Sequence, residues 1–119
     1  MYHPDLKEYR KLKRQVRLVP VYREIAAGGE TPVSALLKIK RGDYAFLLES
    51  VEGGQGTASY SFIGTEPYRV LTTRESDKTN PLDSLAEELS RHRLVEIKGL
   101  PDFCGGAVGY LGYETIRRL

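Results

Sequence analysis

The sequence predicts an α+β fold: a mixed or antiparallel sheet with short helices. Three observations carry the α+β reading. Two segments open with helix punctuation, Thr31-Pro32 and Asn80-Pro81, and continue with apolar residues at helical spacing. Short apolar runs at 44–50 and 59–64 are too brief for helices and suit strands. The order is helix, strand, helix, several strands, helix, strand, without the regular alternation of a parallel α/β fold.

Residues 4–16 read as a short amphipathic helix with Pro4 at its first position. Leu6, Tyr9, Leu12 or Lys13, and Val16 fall near one face, with Lys7, Arg10, Lys11 and Arg14 on the other. VPVYREI (19–25) alternates as a strand, and Pro20 places it at an edge or a strand start. Gly28-Gly29 marks a turn. Thr31 then caps a helix that runs with Val33, Leu36, Leu37 and Lys40 on one face, and Gly42 stops it. YAFLLES (44–50) is apolar on both faces, which predicts a buried central strand. VEGGQGTA (51–58) is a flexible loop and SYSFIG (59–64) the next strand, divided by Pro67 from YRVLTT (68–73). A polar loop at 74–80 leads into a helix over 81–92 with Leu82, Leu85, Ala86 and Leu89 on one face. FCGGAVGYLGY (103–113) closes as a glycine-broken strand. The chain stops at YETIRRL, within the first turn of a helix, an ending expected of a truncated chain.

Composition narrows the function classes. The chain has 119 residues, with 18 Lys and Arg against 16 Asp and Glu for a net charge of +2. That length suits one domain with one core. It contains no apolar run near the ~20 residues of a membrane span, and no signal peptide is visible in its charged N-terminus. One cysteine, Cys104, excludes a disulfide framework and fits a reducing cytoplasm. His3, His92 and Cys104 lack zinc-ligand spacing, so no metal site is expected. The basic face of the first helix is diluted by Asp5 and Glu8 and reads as a solvated face, so no nucleic-acid partner is expected.

No catalytic residue emerges. GGQG (53–56) lacks the Gly-Lys-Ser/Thr ending of a phosphate-binding loop, and 105–112 is not G-x-G-x-x-G. Close backbone packing or a bulge accounts for those glycines. Glu87-Glu88 is a helix surface pair, His92 an exposed residue, and Cys104 a small packed one. One constellation stands apart. Glu49 and Ser50 end the apolar strand, and Ser59 and Ser61 flank the start of the next. Two readings fit Glu49. It is a solvated strand end paired with a lysine or arginine. Alternatively, it lies against apolar surroundings and takes the ammonium group of an amino acid, with Ser50 as a further hydrogen-bonding partner and Tyr44, Tyr60, Tyr110 and Tyr113 as an aromatic wall.

Five blocks together resemble one family: LVPVYREI (18–25), TPVSALLKI (31–39), FLLES (46–50), YSFIG (60–64) and GGAVGYLGYE (105–114). In this order they look like the N-terminal region of anthranilate synthase component I, a chorismate-utilising enzyme. The resemblance implies that the full-length protein makes anthranilate and pyruvate from chorismate and ammonia, with Mg2+, early in tryptophan synthesis. It further implies a glutamine amidotransferase subunit, component II, as ammonia source and partner. The chorismate and magnesium residues of the family lie in a C-terminal catalytic domain absent from this chain. Residues 1–119 alone are therefore expected to be catalytically silent and to bind no cofactor.

The family's N-terminal region carries feedback inhibition by L-tryptophan. Its LLES motif falls here on Leu47, Leu48, Glu49 and Ser50. The implied tryptophan-binding set is Leu48, Glu49, Ser50, Ser59, Tyr60, Ser61, Gly109 and Tyr110, with Ser50 foremost. Many members carry an arginine where this chain has Ser59. That departure takes a potential partner from Glu49 and bears on the tightness of inhibition. Two alternatives remain open on sequence alone: component I of aminodeoxychorismate synthase, which shares the architecture, and a non-catalytic module for amino-acid binding or docking.

Overall fold

Helix starts in this protein are decided by capping. The computed structural model describes residues 1–14, 18–49, 60–92 and 97–118. Its elements are α1 (Leu6–Leu12), α2 (Pro32–Ile39), β1 (Ala45–Glu49), β2 (Ser61–Thr65), α3 (Pro81–Ser90) and a 3-10 helix at Tyr113–Arg118. The α+β class holds, with an antiparallel two-stranded sheet and short helices. Contacts divide the chain into two compact units, Ala26–Val70 and the pair Met1–Ile25 with Leu71–Leu119.

In the unit Ala26–Val70, Gly29 turns the chain at φ +79°, and Glu30 N donates to Ala27 O across that turn at 3.0 Å. Thr31 Oγ1 accepts from Ser34 N at 3.1 Å, and Ser34 Oγ accepts from Thr31 N at 2.9 Å. This reciprocal capping box, with Pro32 at the first position, satisfies donors that no helical carbonyl can reach. The helix ends at Ile39, where Lys40 turns to ψ 126°, before Gly42 at φ +68°. Its half-buried residues are Pro32, Ser34, Ala35 and Leu36, while Val33 and Leu37, expected on one face with Leu36, are 51% and 72% exposed. Helix α2 packs on the hairpin. Thr65 Oγ1 ties the two together, accepting from Arg41 N at 2.9 Å and donating to Arg41 O at 3.0 Å.

The β1–β2 ladder runs Ala45↔Thr65, Phe46↔Gly64, Leu47↔Ile63, Leu48↔Phe62 and Glu49↔Ser61. It corrects the expectation of a buried central strand. Among the described residues β1 has one neighbouring strand, and its residues are half-buried or exposed. Among the described residues no apolar side chain is fully buried, and the single buried core expected from the length is not seen in them. Strand β2 begins at Ser61, two residues later than expected.

In the other unit, α1 starts at Leu6, capped by Asp5, whose Oδ1 accepts from Glu8 N at 2.8 Å. Pro4 therefore precedes the helix and does not sit in its first turn. Residues 19–25 form no strand: one isolated bridge joins Tyr22 to His3 through two 2.7 Å hydrogen bonds. Pro20 has no amide hydrogen to extend such a ladder. Residues 68–73 and 103–112 also form no strand, since no described segment pairs with them. In α3, Asn80 Oδ1 accepts from Leu82 N at 2.8 Å as the N-cap, with Pro81 following. Its half-buried residues are Pro81, Ser84, Leu85 and Glu88, so the apolar stripe of Leu82, Ala86 and Leu89 lies to one side and is exposed.

Candidate functional site

The antiparallel register brings two of the quoted blocks together. Glu49, last in β1, stands opposite Ser61, first in β2, and Leu48 stands opposite Phe62. Opposed residues of an antiparallel pair share a face. Glu49, Ser61, Leu47 and Ile63 therefore occupy one face, and Phe46, Leu48, Phe62 and Gly64 the other. Tyr60 belongs with the second group, because its ring stacks on that of Phe62 at 6.0 Å between centroids and 25° between planes. Tyr60 is thus on the face opposite the Glu49 carboxylate and does not wall it.

Glu49 and Ser61 are both exposed. Apolar surroundings for the carboxylate are not observed, and among the described residues no lysine or arginine pairs with it. What the hairpin end offers is an open anionic group with a hydroxyl-bearing residue directly across the ladder. An ammonium group is the natural complement of such a carboxylate, since charge-assisted hydrogen bonds are the stronger class. Ser50 and Ser59, next in sequence to Glu49 and Tyr60, lie outside the described residues, as do residues 51–58. Gly109 and Tyr110 belong to the other unit. Tyr110 is 95% exposed, and a Cβ at Gly109 would meet nothing within 4 Å. The glycines at 105, 109 and 112 thus show neither close packing nor a bulge: each faces open space.

Three features escaped the sequence reading. The Phe46 ring lies over Gly64, whose absent side chain leaves room for it. A glycine paired to an aromatic is legible only once register is known. Arg118 reaches back to the loop 75–79 across about forty residues of chain. His92, expected to be exposed, is half-buried with Nε2 3.4 Å from Glu88 Oε1. The spacing of four residues on one helix was the available signal for that contact.

Among the described residues, no group of three or more His, Cys, Asp or Glu is placed to hold a metal ion. No helix among them is long and apolar enough to cross a membrane.

Comparison with known proteins settles the relationship. The chain is 43% identical over 118 residues to the probable anthranilate synthase component 1 of Schizosaccharomyces pombe, which covers 97% of this chain and 24% of that protein. It is related to anthranilate synthase component 1. The Synechocystis protein of that name is 40% identical over 98% of this chain and 26% of its own length. The Acetivibrio thermocellus protein is 35% identical, with the same two shares. The chain thus spans about a quarter of the curated relatives it matches. No protein-family profile and no solved structure matches it.

Proposed function

We propose that this chain is the N-terminal, regulatory part of an anthranilate synthase component 1. In this reading the complete protein converts chorismate and ammonia to anthranilate and pyruvate in the cytoplasm, with component II supplying ammonia from glutamine. The observation that carries the proposal is the extent of the match: nearly the whole of this chain aligns with one quarter of each relative. In this reading chorismate and Mg2+ belong to the remaining three quarters. Exposed apolar side chains support the same division. Leu37, Leu48, Tyr110, Leu111 and Ile116 lie in solvent here and are suited to cover by the catalytic portion.

The regulatory role rests on the hairpin end. Glu49 and Ser61, with Ser50 and Ser59 next to them in sequence, form the proposed L-tryptophan site, while Leu48 and Tyr60 lie on the opposite face of the hairpin. Glu49 meets the amino group of the ligand, and Ser50 adds a hydrogen bond. Inhibition follows if tryptophan binds a low-activity arrangement more tightly than the active one, because a ligand shifts an equilibrium only through that difference.

The test is a titration of L-tryptophan with D-tryptophan and Ser50→Ala as controls. The chain has no tryptophan, so all indole emission comes from the ligand. Saturable, stereoselective binding weakened by Ser50→Ala is expected. In the complete enzyme, Ser50→Phe should relieve tryptophan inhibition while turnover persists, and unchanged inhibition would refute the site. Assay of the product as anthranilate or aminodeoxychorismate separates the sister enzyme. Every relative named above carries the anthranilate synthase name, which favours the first.

A further inference from the structure

The side chain of Arg118 reaches into the unit it shares with α3. Its Nη1 donates to Asp77 O and to Thr79 O, the latter at 3.4 Å, and its Nη2 donates to Glu75 O. Carbonyls of three alternate residues thus converge on one guanidinium. Among the described residues no carboxylate forms an ion pair with Arg118. A planar five-donor fork suits such a cradle, whereas a lysine ammonium is a single point.

The contact also runs the other way. Asn80 Nδ2 donates to Arg118 O at 3.1 Å, while Oδ1 of the same side chain caps α3 through Leu82 N at 2.8 Å. One amide group therefore serves two elements at once. The loop between is further tied by Arg74 N donating to Asp77 Oδ2 at 2.7 Å and by Asp77 N donating to Arg74 O at 3.0 Å. On the 3-10 helix itself, Arg118 is half-buried, but Tyr113 and Ile116 are 88% and 66% exposed.

We propose that Arg118 and Asn80 form a two-way clasp by which docking of the 3-10 helix Tyr113–Arg118 sets the order of the loop 74–80 and the start of α3. Arg118 organises the loop carbonyls, and Asn80 holds the end of the 3-10 helix with the amide that also starts α3. The clasp is independent of the tryptophan site.

Hydrogen exchange of the native protein, resolved by segment, tests this with three variants. Arg118→Ala should speed exchange of amides in 74–84 roughly tenfold, the scale of losing charge-assisted hydrogen bonds. Arg118→Lys should restore part of that protection. Asn80→Ser keeps a capping oxygen but is too short to reach Arg118 O, so exchange should rise at 113–118 while the α3 start stays protected. Unchanged exchange at 74–84 in Arg118→Ala, or at 113–118 in Asn80→Ser, would overturn the proposal. So would a uniform rise that includes Pro32–Ile39, because that reports general destabilisation and no clasp.

Discussion

A methyl group at position 64 tests the cross-strand pair on which the hairpin depends. A Cβ built on Gly64 would lie 2.1 Å from Phe46 Cε1, 2.6 Å from Cζ and 2.9 Å from Cδ1. No real contact is that close, so in Gly64→Ala the ring must swing away. Leaving the glycine uncovers roughly 40 Å2 of apolar surface, about 1 kcal/mol at the usual transfer coefficient, and forcing the ring to stay costs ~1–3 kcal/mol. Against this, alanine restricts the unfolded chain and is favoured over glycine in a strand by ~0.5–1 kcal/mol. The net expectation is a modest loss in the native background and a gain of about 0.5 kcal/mol in Phe46→Ala, where no ring opposes the methyl. The coupling between the two sites is then about 1–2 kcal/mol, well above the ~0.3–0.5 kcal/mol scatter of independent sites. Urea unfolding of the four proteins of the cycle, followed by far-UV circular dichroism, measures it. Equal effects of Gly64→Ala in both backgrounds would refute the reasoning, since Phe46 would not be the residue that requires a glycine.

Other expectations follow from the caps and ion pairs. Thr31→Ala removes one half of the capping box and should destabilise α2 by about 1 kcal/mol, read as a lower urea midpoint; Thr31→Asn should retain most of it. Thr65→Val removes both hydrogen bonds to Arg41 at nearly constant shape, with an expected loss below about 1 kcal/mol because water replaces partners in an exposed setting. Lys38 first, and then the Ser34 hydroxyl, hold the Glu30 carboxyl below its usual range against a smaller opposing effect of burial. A depressed folded value means the interaction stabilises fully above the unfolded value and fades as pH falls through the folded one. NMR titration of Glu30 should therefore give a midpoint below that of an ordinary glutamate, and Lys38→Met should raise it; an unmoved midpoint would contradict the assignment to Lys38.

The parts of the fold legible in the sequence are those fixed within a few residues. Thr31-Pro32 and Asn80-Pro81 start helices because cap and capped amide lie two or three positions apart, and both occur as read. Strands depend on partners that a single segment does not specify. Residues 45–49 and 61–65 found each other, although among the described residues β1 gained only one neighbour. Residues 19–25 and 103–113 have comparable patterns and no ladder among the described residues. Helix faces were misjudged for a related reason. Leu37 and Leu82 sit on apolar stripes, but which part of a stripe turns inward depends on the surface packed against it. The chemistry-bearing positions were legible to the extent that adjacency and register determine them: Glu49 meets Ser61, while Ser50 and Ser59 lie outside the described residues.

The hairpin register constrains how the proposed tryptophan site would be assembled. Alternation fixes Glu49 and Ser61 on one face and Tyr60, Phe62 and Phe46 on the other. A zwitterion bound by Glu49 therefore cannot stack its ring on Tyr60 across the strand. Its indole must be met by apolar residues on the Glu49 face, where Leu47 and Ile63 follow along the ladder, or by surfaces outside the hairpin. Removing the Tyr60 ring should then leave tryptophan affinity nearly unchanged, while Glu49→Gln should weaken binding by about tenfold or more through loss of a charge-assisted contact. The reverse ranking in the same fluorescence titration would place the ligand on the aromatic face and detach Glu49 from recognition.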